Sequence, residues 1–175
     1  MLRDNMIWGV ELISILIGWL VISCIGSASH FVYRWAGCIS YITIYVPVNE
    51  SVWEHLKLIV WPMFGWWCIS LLWREFDDCL NGLAVSEIVS VCTMLVTYYT
   101  YMGIFDFEWL PIDVFIFLVS VFAGLLISEL YMGGSRLCLF GSIFIFFSCF
   151  IFLSIFKPAL PLFFDKAHGT YDIVC

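Results

Sequence analysis

The sequence predicts an all-α polytopic membrane protein: a bundle of about five transmembrane helices, with an interfacial or re-entrant segment between the first and second. Two observations carry this. Of 175 residues, 63% are hydrophobic and 12% charged, against about 45–50% and about 25% in soluble globular chains. Apolar runs of about 20 residues, the length that crosses a bilayer core, also recur along the chain between short polar turns. A water-soluble body of this size has too much surface to hide so many apolar side chains, and a disordered chain needs low hydrophobicity. One integral domain over 1–175, multi-pass in the cell membrane, is the expected organisation.

The first span is expected over 6–25, with Trp8 at its start. Val21, Ile22, Ser23 and Cys24 have the form of a lipoprotein cleavage box. However, Glu11 interrupts the run, and Leu2, Arg3, Asp4 and Asn5 carry no net positive charge, so the segment reads as a retained helix. Residues 31–47 are apolar but broken by Arg34 and Gly37, and the unbroken part is too short to cross; this is the interfacial or re-entrant connection. The second span, 50–73, has a marked start. Pro47 stands outside it, Asn49 is a natural N-cap, Glu50 lies where the helix dipole favours an anion, and Val48 and Trp53 are spaced as a hydrophobic staple. Pro62 falls mid-span and predicts a kink. The polar turn Arg74, Glu75, Phe76, Asp77, Asp78 ends it.

The third span, 83–102, closes on Tyr98, Tyr99 and Tyr101 as an interfacial aromatic belt. A loop with Asp106, Glu108 and Trp109 leads to the fourth, 111–131, where Pro111 takes a favoured first-turn position. After Gly133, Gly134, Ser135 and Arg136 the fifth covers 137–156. The tail 157–175 carries Pro158 and Pro161 and is expected to be extended.

Net charge is −7, from 14 acids against 7 bases, with no basic run. That excludes a nucleic-acid partner, which needs a cationic footprint, and a polybasic attachment to anionic lipid. The eight cysteines make no CxxC pair and no zinc-finger spacing, which leaves their disulfide state and the redox compartment open. Five spans put the termini on opposite faces. Arg3, Arg74 and Arg136 then stand against Arg34, Lys57, Lys157 and Lys166, a balance too even to orient the chain.

The side assignment brings all three histidines, His30, His55 and His168, to one face, together with Asn49, Glu50, Glu54, Lys57, Asp113 and Asp165. Imidazoles titrate and ligate near neutral pH, and carboxylates beside them provide acid–base or metal chemistry. Polar residues also gather at membrane interfaces simply because lipid excludes them. Within 47–57, the densest polar stretch, Glu50 and Glu54 are four apart and predict two carboxylates on one helix face, while Ser51 and His55 predict a hydroxyl–imidazole pair. Glu54 and His55 are adjacent and diverge by about 100° around the axis. The spacing is neither HExxH nor the Glu-x-x-His of di-iron bundles. A helix cap plus an interfacial anchor accounts for Asn49, Trp53 and Lys57, but leaves Glu50, Glu54 and His55 unexplained.

The candidate catalytic groups are therefore His55, Glu54, Glu50 and His30. Candidate ligand contacts are Asn49, Ser51, Trp53, Lys57, Asp113, Asp165 and Tyr171. Candidate metal ligands are His30, His55 and Glu50; no cofactor motif is recognisable, and a divalent metal is compatible with that set. Glu11, Glu87 and Glu129 interrupt apolar spans but stand near helix ends, so no mid-membrane relay of a pump or channel emerges. Asn49, Glu50 and Ser51 match a glycosylation acceptor at a helix start, a chance-level match.

From Pro47 to Leu58 the sequence resembles an uncharacterised family of small bacterial multi-pass membrane proteins, common in Clostridia-like Firmicutes and classed as a domain of unknown function. Its Pro-Val-Asn-Glu-Ser-x-Trp-Glu-His-x-Lys-Leu string is matched there, followed by Pro62. A His-Phe-x-Tyr-x-Trp element is matched by His30, Phe31, Tyr33 and Trp35, a Tyr-Tyr-Thr-Tyr run by 98–101, and an Ile-Asp element by Ile112 and Asp113. The ending is matched by Pro161, Leu162, Phe163, Asp165, Gly169, Tyr171 and Ile173. The family pattern has an acid where Arg34 stands and a glycine where Asp172 stands. The resemblance spans nearly the whole chain and implies that His30, the 47–58 stretch and the tail form one unit. It brings no activity with it. The expected role is a pocket at one membrane face that binds a lipid, peptide or small ligand. A membrane-embedded hydrolase or acyl transferase, metal-dependent or not, is the alternative, and a structural or partner subunit of a membrane complex the third. The expected partners are the lipid bilayer, a lipid or small-molecule ligand, and another membrane protein.

Overall fold

The computed structural model describes residues 2–131 and 136–175, with side chains over 12–131 and 139–175. Five helices follow one another: α1 Leu2–Trp35, α2 Val52–Ser70, α3 Phe76–Phe105, α4 Leu110–Leu130 and α5 Arg136–Ile155. Short 3-10 turns, Ser40–Ile42 and Pro161–Phe163, lie before α2 and after α5. No β-strand occurs among the described residues. Leu12–Trp35, Phe76–Phe105 and Leu110–Leu130 are long and apolar enough to cross a membrane, and Leu139–Ile155 is a shorter apolar helix. Their outer faces leave large apolar side chains exposed, among them Leu16, Leu20, Phe115, Ile145 and Phe152. Glu11, and the turn at Gly133, Gly134 and Ser135, lie outside the described side chains or residues.

α1 continues ten residues beyond its expected end at 25, through most of the stretch read as the start of a re-entrant segment. The stop is Gly37, which adopts φ +72°, the left-handed conformation that glycine takes without a Cβ penalty. Cys38 N–H donates to the Tyr33 carbonyl at 3.0 Å and closes the last turn. Gly37 therefore ends a long helix instead of interrupting a short one. A shift of the same kind occurs at α3, which begins at Phe76, so Asp77 and Asp78 belong to its first turn, where the dipole favours anions, and not to the preceding polar turn. Glu87 consequently stands about three turns inside α3, where it is 2% exposed with neither carboxylate oxygen hydrogen-bonded.

α2 packs between α1 and α3. Ile59, Met63 and Trp67 are buried in the core, and the helix runs unbroken through Pro62. The most extensive helix–helix contact joins α3 and α4. Small side chains permit it: Gly124 on α4 lies against Ser86 and Ser90 on α3, with Ser120 and Ser128 one turn to either side, all buried. A Cβ on Gly124 would overlap the Ser90 side chain and the Ser86 carbonyl, the close backbone approach that small-xxx-small patterns allow.

At one end of the bundle Arg74 donates from Nη1 to Glu129 Oε2 at 3.0 Å and from Nη2 to Ser14 Oγ at 3.0 Å, with its guanidinium 5.5 Å from the Trp67 ring centre. Glu129 thus has a fixed partner and does not simply reach water. At the other end the tail folds back instead of running extended. Val174 N–H donates to the Val48 carbonyl, Asn49 Nδ2 to the Asp172 carbonyl, and Cys38 is joined to Cys175 by a disulfide. That end carries the candidate site.

Candidate functional site

The connection from 47 to 51 takes its shape from local hydrogen bonds. Ser51, not Asn49, caps α2, with its hydroxyl accepting from Glu54 N–H, the cap-to-N3 half of a capping box. The cap falls two residues later than expected because Asn49 is committed elsewhere. Its Oδ1 accepts from Ser51 N–H at 3.0 Å while its amide holds the tail. Glu50 is then outside the helix, and the expected shared face of Glu50 and Glu54 does not form.

The two carboxylates part in opposite directions. Glu54 turns inward, 0% exposed, and its Oε2 accepts from Lys57 Nζ and from Val48 N–H at 3.1 Å. Lys157, at the end of α5, lies 2.9 Å from its other oxygen. Lys57 also donates to the Thr43 carbonyl at 2.6 Å. Glu54 and Lys57 therefore form a buried ionic knot that ties α2 to the 43–48 connection and to α5, away from any opening. Trp53 is likewise internal, donating to Ser154 Oγ and stacked between Phe150 and Phe163.

Glu50 turns the other way. Its Oε1 lies 3.6 Å from His30 Nε2 and its Oε2 3.5 Å from His55 Nε2. The two imidazole centres are 5.4 Å apart. Ligand atoms of all three residues fall within 4.8 Å of one another. His55 Nδ1 contacts the Ser51 carbonyl oxygen at 2.9 Å; a carbonyl only accepts, so Nδ1 carries a proton, and Nε2 is the nitrogen that faces Glu50. The expected hydroxyl–imidazole pair is replaced by this backbone contact because the Ser51 hydroxyl is used as the cap.

Asp165 fixes Glu50 from behind. Its fully buried carboxylate accepts from Glu50 N–H at 3.0 Å, from Ala167 and His168 N–H, and from His168 Nδ1 at 2.8 Å. Burial alone would raise this carboxyl. The hydrogen bonds from the Glu50 backbone and from His168 outweigh it and hold the group below the usual carboxylate range.

Beside the triad lies a cavity of about 440 Å³ between α1, α2, α3 and α4. Leu58, Met94, Ile116 and Phe117 make its apolar floor; His30, Glu50, His55, Tyr98, Glu108 and Asp113 make its polar rim. One oxygen of Asp113 is buried without a hydrogen-bond partner. Tyr98 donates to Glu108 at 2.7 Å, and Tyr101 points inward to the Phe107 carbonyl at 2.6 Å, so these two tie down the 106–109 loop and do not form an outward belt.

A family model described as a family of unknown function, DUF6512, matches residues 9–173. The chain belongs to this family. No curated protein and no solved structure matches it.

In this DUF6512 chain the residues predicted from sequence sort into three groups. His30, Glu50, His55 and Asp113 meet at one cavity. Asn49, Ser51, Trp53, Glu54, Lys57 and Asp165 are drawn into buried contacts that shape and hold that cavity without facing it. Tyr171 packs on Phe164 in the tail, apart from the cavity. Sequence reasoning missed Tyr98 and Glu108 as rim residues and Lys157 as the second cation on Glu54. Glu108 stood in the loop of the same face, and Lys157 was the first charge after an apolar span; both were visible as positions but not as partners.

Proposed function

We propose that this protein is a multi-pass protein of the cell membrane that binds a lipid or an amphipathic small molecule in the cavity between α1 and α4. The observation that carries the reading is the cavity itself: about 440 Å³, within the range of about 300–1,000 Å³ typical of small-molecule sites, with an apolar floor and a few convergent polar groups. A hydrocarbon portion fits against Leu58, Met94 and Phe117, and a polar head against His30, Glu50 and His55. The exposed apolar faces of α1, α4 and α5 are suited to lipid, which would then be the medium from which such a ligand enters.

The test is mass spectrometry of amphiphiles that copurify with the protein in a mild detergent. Val114 lines the cavity yet is itself partly exposed, so Val114→Trp adds bulk there without disturbing the core. We expect a defined amphiphile in the wild type, depleted at least severalfold in Val114→Trp. A lipid profile identical to that of the surrounding membrane in both proteins would count against the reading. A second reading, a membrane-embedded hydrolase or acyl transferase, draws support from the orientation of His55, whose Nε2 faces a carboxylate at the cavity rim while Nδ1 is held by the backbone. It requires that His55→Ala abolish turnover while leaving the melting temperature in detergent unchanged.

A further inference from the structure

We propose that His30, Glu50 and His55 form a binding site for a divalent metal of zinc's class, with one coordination position open to the cavity. The metal site stands on its own geometry; only the use of its open position rests on the ligand reading above. The gaps between the carboxylate oxygens and the imidazole nitrogens, 3.6 and 3.5 Å, are too long for charge-assisted hydrogen bonds of about 2.7–2.9 Å. They are close to the edge of a tetrahedron around zinc, about 3.3–3.4 Å for bonds of about 2.0–2.1 Å. Each carboxylate oxygen faces a different imidazole, and one ligand atom from each of the three side chains lies within 4.8 Å of the others, close enough for a single ion to reach all three.

The groups behind the triad suit the same role. A metal-bound imidazole donates its second N–H to a carbonyl or carboxylate, which fixes the tautomer, and His55 does this to Ser51. Glu50 is held through its backbone by the buried carboxylate of Asp165. His30 has no such partner: its Nδ1 is buried without a hydrogen bond, and its ring is placed instead by contacts with Phe31 and with the His55 imidazole. Two imidazoles and one carboxylate leave zinc a fourth position for water or a ligand atom, and here all three residues line the cavity.

The experiment uses the full-length protein in detergent, stripped with chelator and titrated with zinc by calorimetry and with cobalt(II) by visible absorption. Wild type is expected to bind one equivalent of each, with the intense visible bands of tetrahedral cobalt. It should lack a thiolate-to-cobalt charge-transfer band, although Cys24, Cys68, Cys92 and Cys149 are exposed. Glu50→Gln keeps the backbone N–H used by Asp165 and should weaken zinc by more than about 100-fold, beyond the loss typical of an outer partner. His55→Ala and His30→Gln should do the same, and Glu75→Gln on the opposite face should bind like wild type. Absence of saturable binding, a thiolate band, or wild-type affinity in Glu50→Gln would each overturn the site. Decanoate tests the open position: it should shift the cobalt spectrum at concentrations where acetate does not. An unchanged spectrum in a protein that binds cobalt would remove the open position while leaving the metal.

Discussion

Glu54 is the residue on which most of the cavity end depends, because one carboxylate answers two cations and a backbone N–H from three parts of the chain. Breaking a buried ion pair from one side costs about 3–5 kcal/mol, since the remaining charge is stranded. Glu54→Ala is therefore expected to lower the melting temperature in detergent sharply. The double change Glu54→Leu with Lys57→Met should recover much of the loss, and thermal melts of the three proteins measure that coupling. Glu87 presents the converse. Its carboxyl is buried with no hydrogen-bond partner, and replacing such a group by an apolar one of similar size relieves a desolvation cost of about 1–3 kcal/mol. Glu87→Leu should raise the melting temperature; a fall would mean that the carboxyl has a role in the working protein. Asp165 supplies a pH dependence with a definite sign. Its carboxyl is held below its ordinary range in the folded state, so the unfolded chain binds the extra proton and stability rises with pH through that region. The contribution is complete above the unfolded value of about 3.9 and is lost as pH falls through the lower folded value. Amide protection factors at Val174 and Thr170 should fall below about pH 4 in wild type, and Asp165→Asn should abolish that acid step.

Among the elements, α3 and α4 carry the clearest sequence signature that went unread. Ser120, Gly124 and Ser128 recur every four residues, with Gly124 against Ser86 and Ser90. That spacing marks a close helix pair, but it was hidden in spans recognised by hydropathy alone, which measures affinity for lipid and is blind to which face meets a neighbour. Gly124→Leu should force the pair apart and cost about 1–3 kcal/mol, as overpacking does, whereas Gly141→Leu on α5, which has open space around its α-carbon, should be tolerated. Melts of the two variants side by side make the comparison. Helix ends were the least legible feature. Gly37 and Asn49 were both recognised as punctuation, but the sequence does not say that Gly37 closes a helix begun 35 residues earlier, or that the tail takes the Asn49 side chain and passes the cap to Ser51. The second outcome depends on a partner more than a hundred residues away.

For the molecule as a whole, hydropathy and polar punctuation were enough to predict five helices and to collect His30, Glu50, His55, Asp113 and Asp165 at one end, because successive helices joined by short turns alternate in direction. Which of these residues face the cavity and which hold it was not legible. Glu50 and Glu54 have the same charge and stand four apart, yet one is drawn inward by Lys57 and Lys157 while the other is pinned by Asp165. The charge count gave no orientation across a membrane, and the disulfide between Cys38 and Cys175 yields a prediction of it. Such bonds persist in oxidising compartments, so the cavity end is expected on the oxidising side. In intact cells, membrane-impermeant maleimide should label these two cysteines only after an impermeant reductant has been added.

The same bond also makes a closed covalent ring of everything from Cys38 to Cys175, with α1 outside it. One protease cut in the loop between α3 and α4 would open that ring without dividing the chain. The nicked protein should migrate as one species without reductant and as two fragments with it. His30 alone of the triad lies outside the ring, so the contact between α1 and α2 at the cavity mouth is where two separately tethered parts of the molecule meet.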